Sequence, residues 1–339
     1  MSVVSFQNTS IVFGDAPHLA LPLADQGLSR AEIQGKTGQV LGVHDASLDV
    51  NEGEILVLMG LSGSGKSTLL RAVNGLNPVV RGSVQVHDGT GMVEVTTCSA
   101  RRLRHLRQGR IAMVFQGFGL LPWRSVAQNV GFGLELSGMS RAERDEVVAR
   151  QLALVGLEGW ADRKVSELSG GMQQRVGLAR AFATDAPILL MDEPFSALDP
   201  LIRSRLQDEL LQLQDRLKRT ILFVSHDLDE AFRIGNRIAI MEGGRIVQCG
   251  TPREIFSNPA TKYVADFVEN MNPLAVLRAR DVMQNAPSSI SSETAIDCET
   301  PIRDLMPLLQ NGPLCVIEED RPIGQITAQS LLYSINPKS

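Results

Sequence analysis

A glycine-rich string, GLSGSGKS, occupies residues 60–67 and matches the pattern G-x-x-x-x-G-K-[ST] of phosphate-binding loops. Its glycines let the backbone wrap tightly, so that successive N–H groups face phosphate oxygens. Lys66 is placed to reach the β- and γ-phosphates of a nucleoside triphosphate, and the Ser67 hydroxyl to ligate Mg²⁺. The residues predicted to contact the nucleotide are Gly60, Ser62, Gly63, Ser64, Gly65, Lys66, Ser67 and Thr68. The alternative interpretation is a glycine-rich turn that binds nothing.

Two acidic residues, Asp192 and Glu193, follow the apolar run at residues 188–191. A carboxylate at the end of a buried strand is well placed beside the cation of a phosphate loop, so Asp192 is predicted to ligate Mg²⁺. Glu193 points in another direction and is predicted to polarise an attacking water as a general base. The alternative interpretation is a pair of surface acids in a turn.

The string LSGGMQQR at residues 168–175 is the most specific of the chain. Ser169 is predicted to be the N-cap of a helix, and Gly170 and Gly171 keep the approach to its first turn open. A helix start attracts anions, because its N–H groups are unpaired and its dipole is positive there. The string therefore predicts an anion-binding helix N-terminus, with an ordinary helix cap as the alternative.

Apolar strand patterns alternate with helical patterns around these residues. Buried strands are predicted at 55–59, 111–115, 188–191 and 221–224, and helices after residue 66, from 140, over 169–184 and over 201–217. This alternation predicts an α/β domain with a mainly parallel sheet. Further strands are predicted at 1–13, 40–50 and 83–97, and a hairpin at 238–247.

Composition limits the possible partners. The 339 residues carry a net charge of −5, which argues against a nucleic-acid partner. The four cysteines are far apart and lack metal-ligand spacing, so we expect thiols in a reducing compartment. Neither a signal peptide nor an apolar run of ~20 residues is visible, so we expect the chain to meet a membrane only through a partner.

With these motifs in view, residues 1–270 resemble the ATP-binding subunit of ABC transporters, and the string at 168–175 matches the signature motif of that family. The resemblance implies an ATP hydrolase with ATP and Mg²⁺. It implies catalytic roles for Gln116 of the Q-loop and for the switch histidine His226 beside Glu193, with Gln116 also a metal ligand. It further implies that Asp199 of the D-loop contacts the nucleotide and that Phe13 stacks on adenine, although Phe13 also fits a core position of the first strand.

The resemblance also implies an assembly. Two subunits would sandwich ATP head to tail, so that Ser169, Gly170 and Gly171 complete the site of the partner chain. The dimer would drive an integral membrane permease from the cytoplasmic face of the inner membrane, as a peripheral protein. A periplasmic or extracytoplasmic substrate-binding protein would be an indirect partner.

Five details resemble the glycine betaine/proline/choline importers. They are an insertion at residues 26–38, the string MGLSGSG at 59–65, Met172 in the signature, and the strings SALDPLIR at 196–203 and SHDLDEA at 225–231. The resemblance implies choline or glycine betaine as cargo, with proline betaine or proline as further candidates. The alternatives are an importer ATPase for another small solute, a soluble ABC ATPase acting on nucleic acid or ribosomes, and a regulatory protein whose ATPase is secondary.

The implied domains are an ABC ATP-binding domain at 1–270 and a small α/β module at 271–339. The first would combine a P-loop core with a mainly parallel sheet, an antiparallel β subdomain and a helical subdomain at about 117–168. The second resembles a single CBS repeat, carried by residues 281–283, 302–305 and 314–326. The segment at 117–124, GFGLLPWR, is expected to be an exposed docking loop for the permease, with packing between subdomains as the alternative.

Overall fold

The computed structural model describes residues 1–269, 271–285, 294–319 and 321–335. The strands are β1 (Ser2–Phe13), β2 (Val40–Asn51), β3 (Ile55–Met59), β4 (Arg81–His87), β5 (Met92–Glu94), β6 (Ile111–Val114), β7 (Ile188–Asp192), β8 (Thr220–Val224), β9 (Arg237–Glu242), β10 (Arg245–Gly250), β11 (Gln284–Asn285), β12 (Ala295–Asp297), β13 (Leu314–Glu318) and β14 (Arg321–Ile326).

The helices are α1 (Leu21–Asp25), α2 (Arg30–Thr37), α3 (Lys66–Ala72), α4 (Ala100–Gly109), α5 (Val126–Val130), α6 (Phe132–Leu136), α7 (Arg141–Leu154), α8 (Gly170–Ala183), α9 (Pro200–Leu217), α10 (Leu228–Ile234), α11 (Pro252–Ser257), α12 (Lys262–Val268), α13 (Ala279–Val282), α14 (Ile302–Leu305) and α15 (Ala328–Ile335). Short 3₁₀ helices lie at Pro17–Leu19, Glu158–Trp160, Val165–Glu167, Pro273–Ala275 and Leu308–Asn311.

The central sheet has the strand order β10-β9-β3-β8-β7-β6. Its pairs β9–β3, β3–β8, β8–β7 and β7–β6 are parallel. Every residue of β3, β7 and β8 is buried, as expected for strands covered on both faces. The prediction of a mainly parallel α/β sheet is confirmed. Its parallel strands end at one edge, where the candidate site lies.

A second sheet, of order β2-β1-β4-β5, pairs antiparallel throughout. One apolar cluster joins the two sheets, and it includes Val4 and Phe6 of β1 together with Leu56 and Leu58 of β3. The helices α5, α6 and α7 follow β6, the edge strand of the central sheet. The helix predicted from residue 140 is α7, which begins with a capping box between Ser140 and Glu143.

The chain divides into two compact units. The first comprises residues 1–227 and 234–249, and the second comprises residues 228–233 and 250–339. This division falls before the predicted boundary at residue 270, and the domain assignment stays a prediction. Residues 286–293, Asp320 and residues 336–339, which lie in the predicted C-terminal module, are outside the described part of the chain.

The second unit contains its own sheet, of order β11-β14-β13-β12. Its core includes Leu277, Ile296, Ile302 and Val316, all buried. The elements β12, α14, β13, β14 and α15 follow one another as strand, helix, strand, strand and helix.

Candidate functional site

The phosphate loop connects β3 to α3, as the motif requires. Two of its glycines are needed for steric reasons. Gly65 has φ +103°, and a Cβ there would lie 2.5 Å from the Gly42 carbonyl oxygen. Gly60 has φ +142°, and a Cβ there would collide with the Met241 carbonyl. Both positions combine a left-handed φ with close backbone approach, which only glycine tolerates.

Lys66 begins α3 and folds back into the loop. Its Nζ donates to the carbonyl oxygens of Gly60 (2.8 Å) and Leu61 (3.0 Å). The residue is buried, and burial lowers the pKa of its ammonium, whereas the negative charges of Glu193 and Asp192 act to raise it. A positive charge is thus held inside the loop, where the phosphates of a nucleotide would bind.

Asp192 ends β7 and is fully buried. Ser67 Oγ donates to its Oδ1 (2.6 Å), and Arg71 Nη2 donates to its Oδ2 (2.8 Å). A serine hydroxyl beside a buried carboxylate supplies the hard oxygen ligands that Mg²⁺ prefers, so these residues fit that ion. The contact of Arg71 with Asp192 was not predicted from the sequence motifs.

Glu193 lies at the centre of a second cluster. Gln116 Nε2 donates to its Oε2 (3.1 Å), and His226 Nδ1 lies 3.3 Å from the same oxygen. The three residues follow β6, β7 and β8, whose carboxyl ends meet at one edge of the sheet. Glu193 also has φ +48°, a conformation that costs energy for a residue with a side chain. The structure therefore brings together the three residues predicted to be catalytic.

The backbone of Glu193 is held by a residue that the sequence did not reveal. Gln174 of α8 is buried, and its Nε2 donates to the Glu193 carbonyl oxygen (3.2 Å). Ser196 Oγ donates to the same oxygen (3.0 Å). Gln174 lies inside the signature string, which was the available signal, but its type alone indicates only a polar helix position.

A second missed residue on α8 is Arg180. It donates to the carbonyl oxygens of Gly119 (2.7 Å) and Phe118 (3.2 Å), in the segment after Gln116. Phe118 has φ +61°. One helix therefore contacts both the segment that follows Gln116 and the backbone of Glu193.

Four further predicted residues, Ser169, Gly170, Gly171 and Asp199, lie at the starts of α8 and α9. Ser169 caps α8 by accepting from the Met172 N–H (3.4 Å), and Gly170 is exposed beside it. A Cβ on Gly171 would lie 3.1 Å from the Ala197 carbonyl oxygen. Asp199 caps α9 in the same way, by accepting from the Ile202 N–H (3.1 Å). Helix starts of this kind are open to a group from outside the chain.

Phe13 ends β1 and is 38% exposed, so its ring is not part of the core. A Cβ on Gly42 would lie 2.9 Å from this ring and 3.0 Å from the Thr68 methyl group. The ring therefore lies beside the first turn of α3, close to the phosphate loop.

The fold and these residues define a P-loop nucleotide triphosphatase. A family model described as "ABC transporter" matches residues 43–196. The chain is 50% identical over 291 residues to the glycine betaine/proline betaine transport system ATP-binding protein ProV of Escherichia coli, covering 86% of this chain and 72% of that protein. It is 43% identical to the trimethylamine N-oxide transport system ATP-binding protein TmoW of Ruegeria pomeroyi, covering 97% and 96%.

A solved ATP-binding cassette, described as a dimeric post-hydrolysis state bound to ADP and Pi, superimposes with a TM-score of 0.64. It is 29% identical and covers 74% of this chain and 99% of its own. The chain belongs to the ABC transporter family and is an ATP-binding subunit that hydrolyses ATP. Among the described residues, no helix has the length and apolarity needed to cross a bilayer.

Proposed function

We propose that this chain powers an importer for glycine betaine and related methylated amines, from the cytoplasmic face of the inner membrane. The cargo is supported by relatives named for glycine betaine, proline betaine, carnitine and trimethylamine N-oxide. Glycine betaine, proline betaine and carnitine each combine a methylated quaternary nitrogen with a carboxylate, and trimethylamine N-oxide combines a methylated nitrogen with a negatively polarised oxygen. Choline shares only the methylated nitrogen, so we place it after glycine betaine.

Hydrolysis rests on one observation: Gln116 and His226 converge on the same carboxylate oxygen of Glu193. We assign Glu193 as the general base that takes a proton from the attacking water. His226 and Gln116 then keep that water and the γ-phosphate in register with the carboxylate. Lys66 and the loop N–H groups stabilise the negative charge of the phosphates.

Mg²⁺ would be held by Ser67 and Asp192, with the amide oxygen of Gln116 as a further ligand. When bound, the ion neutralises part of the phosphate charge. Arg71 keeps the Asp192 carboxylate oriented toward Ser67, because it occupies the second carboxylate oxygen. Phe13 is proposed to stack on the adenine ring beside α3.

The group of Ser169, Gly170, Gly171 and Asp199 at the starts of α8 and α9 is proposed to complete the nucleotide site of a second copy. The related cassette is described as a dimer, which supports this arrangement. The helix start at Ser169 would then face the γ-phosphate from the side opposite Lys66. ATP binding closes such a dimer and hydrolysis opens it, and this motion would drive the permease.

For the second unit we keep the proposal of a single CBS-like repeat within residues 271–339. It is supported by the order of β12, α14, β13, β14 and α15. We likewise keep the ATP-binding domain at 1–270, with its helical subdomain at about 117–168. An extracytoplasmic substrate-binding protein is proposed as the indirect partner that delivers the cargo.

The docking loop at residues 117–124 provides a test of the permease contact. Trp123 is 68% exposed and borders a cavity of about 890 Å³ that Arg124, Arg144 and Leu152 also line. We expect Trp123→Ala to weaken binding of the permease by about 2 kcal/mol or more, as for a buried interface tryptophan. ATP binding and the melting temperature of the isolated chain should not change, because the indole packs little within it.

Co-purification of the chain with the permease and transport into vesicles measure this effect. Trp160→Ala is the control, since it removes the other tryptophan of the chain, which is 38% exposed and lies outside the docking loop. Normal assembly and transport in Trp123→Ala would refute the docking role. Unfolding of the isolated variant would instead favour packing between subdomains.

Cargo identity is tested with the complete transporter reconstituted in vesicles. We expect the ATPase rate to rise with glycine betaine and proline betaine, more than with choline or trimethylamine N-oxide. The Glu193→Gln complex controls for activity that does not come from this site. Stimulation by an unrelated solute alone would refute the cargo and leave the ATPase assignment intact.

A further inference from the structure

We propose that Arg30, in the insertion at residues 26–38, is a positioning residue that holds the phosphate loop in its ATP-binding conformation. This inference rests on the proposed ATP-binding function of that loop. Arg30 is the first residue of α2, and its half-buried guanidinium reaches the outer face of the loop. Nη1 donates to the Gly63 carbonyl oxygen, and Nη2 donates to the Gly42 carbonyl oxygen.

The same Nη2 lies 3.5 Å from the Ser64 carbonyl oxygen, so one guanidinium contacts two consecutive peptide groups of the loop. In a trans peptide the C=O and the following N–H point in opposite directions. Holding the Gly63 carbonyl therefore also fixes the Ser64 N–H, which donates to the Leu61 carbonyl oxygen within the loop (3.1 Å), and holding the Ser64 carbonyl fixes the Gly65 N–H. Amide direction is what a phosphate loop uses to bind its ligand.

The turn between β9 and β10 also holds the Ser64 carbonyl. The Gly244 N–H donates to the Ser64 carbonyl oxygen (3.1 Å), and the Gly244 carbonyl accepts from the His44 N–H (2.8 Å). A Cβ on Gly244, which has φ +89°, would lie 2.6 Å from Arg30 Nη2. The glycine at this turn thus leaves the space that the guanidinium occupies.

The backbone that carries Arg30 is firmly anchored. Ser29 and Glu32 form a capping box at the start of α2, and Ile33 is fully buried in a small apolar cluster with Val12 and Leu41. Asp25 lies just before the insertion, and its carboxylate accepts two hydrogen bonds of 2.8 Å from Arg81. Arg30 therefore acts from a fixed support, so the entropic cost of placing its side chain is reduced.

Arg30 also adds charge. Burial lowers the pKa of its guanidinium, but an arginine in a protein stays protonated. A fixed positive charge on the outer face attracts a nucleotide phosphate on the inner face. The planar shape of the guanidinium matters as well. Its two terminal nitrogens donate to the Gly63 and Gly42 carbonyl oxygens together, which the single ammonium of a lysine cannot do in the same geometry.

The experiment compares Arg30→Met, Arg30→Lys and the control Lys36→Met in the full chain. Lys36 is an exposed cation on the same helix, so its replacement removes an equal charge at another position of α2. ATP affinity is measured by titration, and folding by thermal unfolding without nucleotide. ATPase activity of the reconstituted transporter is measured as KM and kcat separately.

We expect Arg30→Met to weaken ATP binding about tenfold, the effect of losing one charge-assisted hydrogen bond. The ATP affinity of Arg30→Lys should lie between those of Arg30→Met and the wild type. The ATP affinity of Lys36→Met should stay within about twofold of the wild-type value. The KM for ATP should rise while kcat at saturating ATP is retained, because Glu193, Gln116 and His226 are untouched. A general loss of folding would instead lower the melting temperature.

Wild-type affinity in a folded Arg30→Met chain would overturn the inference. If that variant does not fold, Arg30→Lys decides: weakened binding in the folded lysine variant supports the positioning role, and unchanged binding overturns it. Lys66→Ala separates this inference from the proposed function. Lost binding in Lys66→Ala with normal binding in the Arg30 variants rejects only the role of Arg30, whereas normal binding in Lys66→Ala rejects the nucleotide site itself.

Discussion

Replacing Glu193 by glutamine is expected to lower ATP turnover by about 10²–10⁴-fold, the usual contribution of a general base, while ATP still binds. Glutamine has nearly the same shape as glutamate. It can still accept the hydrogen bond that Gln116 Nε2 donates to Glu193 Oε2 in the wild-type chain (3.1 Å). It cannot take a proton from water. Because ATP is bound but not hydrolysed, ATP-dependent dimers should become long-lived.

Turnover is measured with the reconstituted transporter, ATP affinity by titration, and dimer lifetime by size-exclusion chromatography with ATP. Glu146→Gln is a suitable control, since it makes the same chemical change at an exposed position of α7. A near-normal hydrolysis rate in Glu193→Gln would show that this carboxylate is not the base, and that the cluster around it has another role.

Much of the nucleotide site was predictable because its signals are local. The phosphate loop is a contiguous string, and the buried strands β3, β7 and β8 are short apolar runs. An acid that follows such a run must lie at the sheet edge, which is how Asp192 and Glu193 were found. The strands predicted within 83–97 are present as β4 (Arg81–His87) and β5 (Met92–Glu94).

Residues that support the site were not predictable, because their partners are distant backbone carbonyls. Gln174 is 19 positions from Glu193, Arg180 is 61 positions from Gly119, and Arg30 is 33 positions from Gly63. No side-chain spacing marks such a contact, and glutamine or arginine on a helix surface is usually solvated. The helices α11 and α12 were also missed, since each is too short to show a helical period.

The site is therefore built in two layers. In the proposed site the motif residues would face the nucleotide, and side chains of α8 hold the backbone behind them. Gln174 fixes the Glu193 peptide, and Arg180 fixes the segment after Gln116. Both lie on α8, whose first residues carry the signature. In the proposed dimer, a displacement of α8 by the second copy would change the positions of Glu193 and Gln116 and would thereby couple dimer closure to hydrolysis.

Mixing two inactive variants is expected to restore part of the activity if each site is shared between chains. Lys66→Ala should abolish tight ATP binding, because it removes the ammonium buried in the phosphate loop. Ser169→Arg should leave ATP binding by the isolated chain intact and block hydrolysis, since a bulky cation would fill the exposed start of α8. Each variant alone should be nearly inactive.

A mixed dimer carries one site with both defects and one site with none, because the intact Lys66 and the intact Ser169 then face each other. With random pairing, half the dimers are mixed and half their sites are intact, so about a quarter of the wild-type sites should be restored. Differently tagged chains show how many mixed dimers form, and steady-state ATPase activity measures the recovery. If mixed dimers form and remain inactive, Ser169 does not serve the phosphate loop of the partner, and the head-to-tail arrangement is wrong.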